Sequence, residues 1–70
     1  MNKFNIGIDL GGTKIESVVL DLNSKILFRQ RILTESNKGA DHVLNRIQDL
    51  YLQALKSIQD EEHTLGIGTP

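Results

Sequence analysis

The sequence predicts an α/β fold in which a three-stranded antiparallel meander is joined by a crossover helix to one parallel strand. Two observations predict this succession of strands and helix. Apolar residues alternate with polar ones or glycine at residues 4–10, which is typical of a strand with one buried face. Within residues 43–58 the apolar residues instead recur at spacings of three and four, as they do in an amphipathic helix.

The first strand is predicted at residues 4–10, where apolar residues alternate with polar ones or glycine. Gly11 and Gly12 follow, and glycine is free to adopt positive φ. Residues 15–20 are rich in β-branched side chains, which favour a second strand. We therefore expect a hairpin that turns at the two glycines.

A third strand is predicted from Ile26 to near Thr34, after a polar turn. Asp21, Asn23 and Ser24 supply that turn, because such short polar side chains hydrogen-bond the neighbouring backbone. Three consecutive strands joined by short turns form an antiparallel meander.

One apolar stripe defines the predicted helix. It consists of Val43, Leu44, Ile47, Leu50, Tyr51, Ala54, Leu55 and Ile58. We expect the helix to end near Ile58, because the acidic residues 60–62 would be unfavourable at the negative end of the helix dipole. Those acidic residues are interpreted as a solvated loop.

The final element is predicted to be a short buried strand at residues 65–68, followed by a loop that begins at Thr69 and Pro70. A strand that follows a crossover helix pairs parallel with an earlier strand, and we expect the first strand to be its neighbour. In the chain taken alone the last strand would be an unprotected edge, so we expect the isolated chain to self-associate into a homo-oligomer.

Composition narrows the classes of function. A chain of 70 residues forms at most one domain. Its formal net charge is −1 and its cations are scattered, which argues against a nucleic-acid partner. It contains no cysteine, as suits a reducing cytoplasm. Its apolar residues are interrupted near the start, so we expect neither a signal peptide nor a membrane partner.

The residues best suited to bind a ligand lie at and just before the first turn. Adjacent Gly11 and Gly12 leave no Cβ between backbone and ligand, so successive N–H groups can point at a phosphate. Thr13 adds a hydroxyl group and Lys14 a positive charge. Asp9 lies two residues before Gly11, where a carboxylate can hold Mg²⁺ beside the β- and γ-phosphates of a nucleotide.

Simpler interpretations stay open at this point. Gly11 and Gly12 alone would be read as an ordinary tight turn, and Lys14 as a solvated side chain. The spacing matches neither a P-loop nor a dinucleotide-binding turn, since the glycines precede a strand and not a helix. His42 and His63 are interpreted as surface or loop residues without a function, because a lone histidine is rarely a metal site.

Residues 6–16, which read IGIDLGGTKIE, resemble the first phosphate motif of ROK sugar kinases almost letter for letter. These belong to the actin, Hsp70 and hexokinase superfamily. Hsp70-like members typically have one glycine and two threonines at this turn, so residues 11–14 favour the sugar-kinase branch. The resemblance extends to residues 66–70, and it implies that residues 1–70 are the N-terminal part of a ribonuclease H-like (actin-like ATPase) domain.

The resemblance also implies a function, which is transfer of the γ-phosphoryl group of ATP to a hexose with Mg²⁺ as cofactor. Glucose is the first expected acceptor, with fructose or an N-acetyl amino sugar as alternatives. The residues that would bind the cofactor are Gly7, Asp9, Gly11, Gly12, Thr13 and Lys14. Asp9 would position the metal, while Gly68 and Thr69 would lie near the sugar. The family's aspartate base lies further along the chain, so we expect no catalytic residue in this segment.

Two other classes of protein remain in view. ROK repressors sense sugars and carry a DNA-binding helix-turn-helix ahead of this hairpin, but only residues 1–3 precede the first predicted strand. We therefore expect a kinase in preference to a repressor. The second alternative is a non-catalytic interaction domain, which a reading frame that ended at Pro70 would favour.

Overall fold

A computed structural model describes residues 2–69, which form one four-stranded sheet with a helix on one face. The elements are strand β1 (Phe4–Leu10), β2 (Lys14–Leu20), β3 (Ile26–Leu33), a 3₁₀ turn (Ser36–Lys38), helix α1 (Ala40–Ser57) and β4 (His63–Gly68). The strand order is β3-β2-β1-β4. Strand β1 pairs antiparallel with β2 and parallel with β4, and β2 pairs antiparallel with β3. The predicted fold class and the predicted β1–β4 neighbours are confirmed.

The turn between β2 and β3 forms as its polar residues predict. The Asp21 carboxylate accepts hydrogen bonds from the backbone N–H groups of Asn23 at 2.8 Å and Lys25 at 2.9 Å. Ser24 adopts a φ of 62°. The side chain of Asp21 thus stabilises the reversal of the chain.

The core lies between α1 and the two central strands. Four sheet residues, Ile6, Ile8, Ile15 and Val19, pack against three residues of the predicted helical stripe, Leu50, Ala54 and Ile58. All seven are at most 5% exposed. The helix begins at Ala40 and its C-cap is Ile58, so the predicted end is confirmed. Gln59 and Asp60 then take φ values of 53° and 58°, which do not continue a helix.

The prediction that the last strand is buried is wrong. Leu65 is 43% and Ile67 55% exposed. Their register places them beside Ile6 and Ile8, on the face of the sheet that carries the helix. The buried core of α1 lies over the more central strands, however, and leaves Leu65 and Ile67 of the edge strand β4 uncovered.

Strand β4 also begins two residues earlier than predicted, at His63. The Tyr51 hydroxyl lies 2.8 Å from Nε2 of His63, and Nδ1 of His63 lies 2.8 Å from the backbone oxygen of Glu61. His63 is therefore a strand residue held against the helix, and not a loop residue. Within residues 2–69 no helix is long and apolar enough to cross a membrane.

A buried hydroxyl group marks a weak point in the core. Ser17 is 0% exposed, and its Oγ has no hydrogen-bond partner within residues 2–69. A buried polar group without a partner is destabilising. We expect Ser17→Ala to raise the free energy of unfolding by about 1 kcal/mol.

Urea denaturation of the full-length protein measures this change. The matched control is Ser57→Ala, because the Ser57 hydroxyl donates to the backbone oxygen of Ala54 at 2.6 Å. The control variant should gain no stability. A Ser17→Ala protein less stable than wild type would mean that the hydroxyl group has a partner.

Candidate functional site

The connection between β1 and β2 consists of Gly11, Gly12 and Thr13. The N–H group of Gly11 donates to the backbone oxygen of Lys14 at 3.0 Å. A Cβ atom at Gly11 would lie only 2.8 Å from that oxygen. Glycine is therefore required at position 11 because the chain closes tightly on itself there.

Gly12 is glycine for a different reason. A Cβ atom there would meet nothing within 4 Å, and the residue is exposed. Gly12 does not use the freedom of glycine to adopt positive φ, since among the described glycines only Gly39 has it. The missing side chain at Gly12 instead leaves the backbone open to a close approach by a ligand.

Two amide groups of the turn are free to bind an anion. The N–H groups of Gly12 and Thr13 donate to no acceptor within residues 2–69. Adjacent unpaired amide groups in a glycine-rich turn are an anion-binding arrangement. The turn therefore offers the donors that a phosphate group needs.

Asp9, Lys14 and Glu16 lie on the open face of the sheet, opposite the helix. Asp9 is paired in register with Glu16 on β2 and with Gly68 on β4. The exposed Asp9 carboxylate makes no hydrogen bond or ion pair with the rest of residues 2–69. Of the two neighbouring carboxylates, it is the one available to a ligand.

Glu16 is already engaged by two cations of β3. Its Oε2 lies 2.6 Å from Nη2 of Arg31, and its Oε1 lies 3.5 Å from Nε of Arg29. These pairs balance the charge of Glu16 beside Asp9. The alternation of β2 could have predicted Glu16 on this face, but the sequence analysis assigned it no part in the site.

A concavity of about 280 Å³ lies on the same open face. It is lined by Gly7, Ile8, Asp9, Glu16, Val18, Gly66, Gly68 and Thr69. The parallel pairing of β1 with β4 thus brings together four of the predicted site residues, which are Gly7, Asp9, Gly68 and Thr69.

Gly12 and Thr13 line a different concavity, of about 300 Å³, with Leu33, Glu35, Ser36 and Asn37. Neither of these concavities is lined by Gly11 or Lys14. The predicted residues therefore lie in two groups, one on the sheet face and one at the turn.

Residues 2–69 contain no group of three or more histidine or acidic side chains placed to hold a metal ion. Asp9 offers one unpaired carboxylate beside an open surface. Mg²⁺ commonly keeps several waters and binds through one or two carboxylates plus phosphates. The residues present fit a magnesium ion that arrives with a nucleotide.

Thr34 follows β3 and is hydrogen-bonded to the turn between β1 and β2. Its N–H group donates to the backbone oxygen of Thr13 at 2.8 Å, and its hydroxyl donates to that of Gly11 at 2.9 Å. Thr34 is 2% exposed. Sequence reasoning gave it no role, because a threonine at a strand end carries no pattern that reveals its partner.

Glu35 joins this junction to the helix. Its Oε1 lies 2.9 Å from Nε2 of His42, and its Oε2 lies 3.2 Å from Nζ of Lys38. The hydrogen bond with His42 is the largest cause of a lowered pKa at Glu35, and the hydrogen bond with Lys38 is the next largest. His42 lies in α1 with a structural partner, and nothing here gives it a chemical role.

The profile of the ROK family matches residues 5–70. The chain belongs to the ROK family. The sheet with its single helix is accordingly part of the family's actin-like ATPase fold. The ROK family includes sugar kinases and repressors. Among curated proteins, none matches the chain.

Proposed function

We propose that this ROK chain is the first part of an ATP-dependent hexose kinase and supplies its first phosphate-binding hairpin. The observation that carries the proposal is the pair of unpaired amide groups at Gly12 and Thr13. Together with the free Asp9 carboxylate on the adjoining strand, they fit the polyphosphate of a nucleotide and its metal ion.

Each residue would contribute by position and charge. The amide groups at Gly12 and Thr13 would bind phosphate oxygens, and the Thr13 hydroxyl and Lys14 would add a donor and a positive charge. Bound Mg²⁺ would neutralise charge on the phosphates. Asp9 would orient that ion, directly or through its water ligands. Such positioning and charge neutralisation account for most of the catalysis of phosphoryl transfer.

The sugar would lie on the sheet face near Gly68 and Thr69. Gly68 is beside Asp9 in the register of β1 and β4, and both line the same concavity. This arrangement would bring an acceptor hydroxyl group close to the metal end of the phosphates. Glucose is the first acceptor to test, followed by fructose and N-acetylglucosamine.

Two further properties belong to the proposal. A cytoplasmic location agrees with the lack of cysteine and the use of ATP. Self-association of the isolated 70-residue chain into a homo-oligomer agrees with the uncovered apolar residues Leu65 and Ile67 on its edge strand. Sedimentation velocity of the isolated chain at several concentrations should give a mass above that of the monomer, and a stable monomer at every concentration would contradict this prediction.

The test of the proposed function is ADP formation by the full-length protein with MgATP and each of the three sugars. We expect ADP formation that requires a sugar, with the preferred acceptor giving the highest kcat/KM. The 70-residue chain alone is the control and should transfer no phosphate, because it supplies only one wall of the site. A full-length protein that binds sugar and DNA but forms no ADP would be a repressor.

A further inference from the structure

The turn has little to hold its shape by itself. Within Gly11–Gly12–Thr13 the backbone hydrogen bond that closes the turn is the one from Gly11 to Lys14. Two glycines in succession give the backbone more conformational freedom than any other residues would. A binding site for phosphate needs its donors fixed before the ligand arrives, since reorientation on binding costs affinity.

We infer that Thr34 is a positioning residue that aims the free amide group of Gly12 at the phosphates. That the ligand is a phosphate rests on the proposed function. That Thr34 orients the turn rests on the contacts of Thr34 itself. Those contacts are the two hydrogen bonds that Thr34 donates, from its hydroxyl group to Gly11 and from its N–H group to Thr13.

Because the peptide group is planar, the hydrogen bond to the Gly11 oxygen also fixes the direction of the neighbouring N–H group. The C=O of Gly11 and the N–H of Gly12 belong to one trans peptide unit, so they point in opposite directions. Because the Thr34 hydroxyl holds that carbonyl oxygen at 2.9 Å, the N–H of Gly12 is directed away from Thr34. The side-chain hydroxyl thereby fixes a donor that it does not touch.

Thr34 is itself held firmly. It is 2% exposed. Arg46 of α1 donates from Nε at 3.1 Å and from Nη2 at 2.8 Å to the backbone oxygen of Leu33, the preceding residue. The helix thus anchors the end of β3, and the end of β3 anchors the turn. A rigid element supports the flexible one, as a preorganised site requires.

Thr34→Val tests the role of the hydroxyl group, because valine has nearly the same shape and keeps the backbone N–H. Thr34→Ser is the matched control, because it keeps the hydroxyl group and loses only a methyl group. Both are made in the full-length protein. The first measurement is ¹⁵N relaxation of the Gly11, Gly12 and Thr13 amide groups without nucleotide.

We expect the order parameter of the Gly12 amide to fall in Thr34→Val from about 0.85 toward about 0.6, while Val19 in the core is unchanged. Thr34→Ser should keep the wild-type value. The second measurement is affinity for ATP and for adenosine. Thr34→Val should weaken ATP binding by about fivefold to tenfold and leave adenosine binding unchanged, whereas Thr34→Ser should restore ATP binding.

The two measurements separate the inference from the proposed function. Wild-type order parameters at the turn in Thr34→Val would overturn the positioning role, whatever the nucleotide results. A mobile turn with full ATP affinity would overturn the link between Thr34 and the phosphates. Equal losses of ATP and adenosine affinity would indicate general damage and also overturn it. A wild-type protein that binds no ATP would overturn the proposed function, and the order parameters would then decide the role of Thr34 alone.

Discussion

If the proposed kinase function holds, Asp9→Asn is expected to lower the kcat of the full-length protein by on the order of a hundredfold or more, with little change in sugar affinity. Asparagine keeps the shape of the side chain but removes the charge that would balance Mg²⁺. The nearest carboxylate cannot replace it, because Glu16 is already paired with Arg31 at 2.6 Å. The measurement is steady-state kinetics with MgATP and the preferred sugar.

The control for this prediction is Asp49→Asn, which removes an acidic charge from the exposed surface of α1. It should leave kcat and KM unchanged. Circular dichroism checks that both variants are folded. If a folded Asp9→Asn protein turned over at the wild-type rate, the assignment of Asp9 to the metal would be wrong, and Gly11 and Gly12 would be interpreted as an ordinary turn.

Gly12→Val should raise the KM for ATP by about tenfold or more and also slow turnover. The space around a Cβ atom at position 12 is empty to 4 Å, and Gly12 does not have positive φ. The variant should therefore fold without strain. Its side chain would occupy the path by which phosphate oxygens reach the backbone.

The graded control is Gly12→Ala, whose smaller side chain should produce a smaller rise in KM. Gly11→Ala provides a contrast, because its Cβ would press on the Lys14 oxygen at 2.8 Å and would distort the turn itself. Unchanged ATP kinetics in both position-12 variants would mean that phosphates do not approach the turn there.

The fold was predictable because each element has its own periodicity. Alternation in the strands and the three-and-four spacing of α1 each reflect one buried face. The same reliance on local pattern gave the wrong burial for β4. Leu65 and Ile67 are apolar, but their exposure depends on which strands the helix covers. That depends on tertiary packing and not on local pattern.

The candidate site was predictable only in part. Asp9, Gly11 and Gly12 form a contiguous motif, and the parallel pairing that brings Gly68 to Asp9 follows from the crossover helix. The contact between Thr34 and the turn joins residues 23 positions apart. Nothing in the local sequence of Thr34 indicates it, because many threonines end strands.

Amide chemical shifts of the full-length protein during titration with MgATP and with adenosine test the central claim, that the turn binds phosphate. The account predicts that the Gly12 and Thr13 resonances move with MgATP and stay unchanged with adenosine. It also predicts that Asp9→Asn diminishes the movement. Saturation of the protein with MgATP while both resonances remain at their free positions would contradict the account.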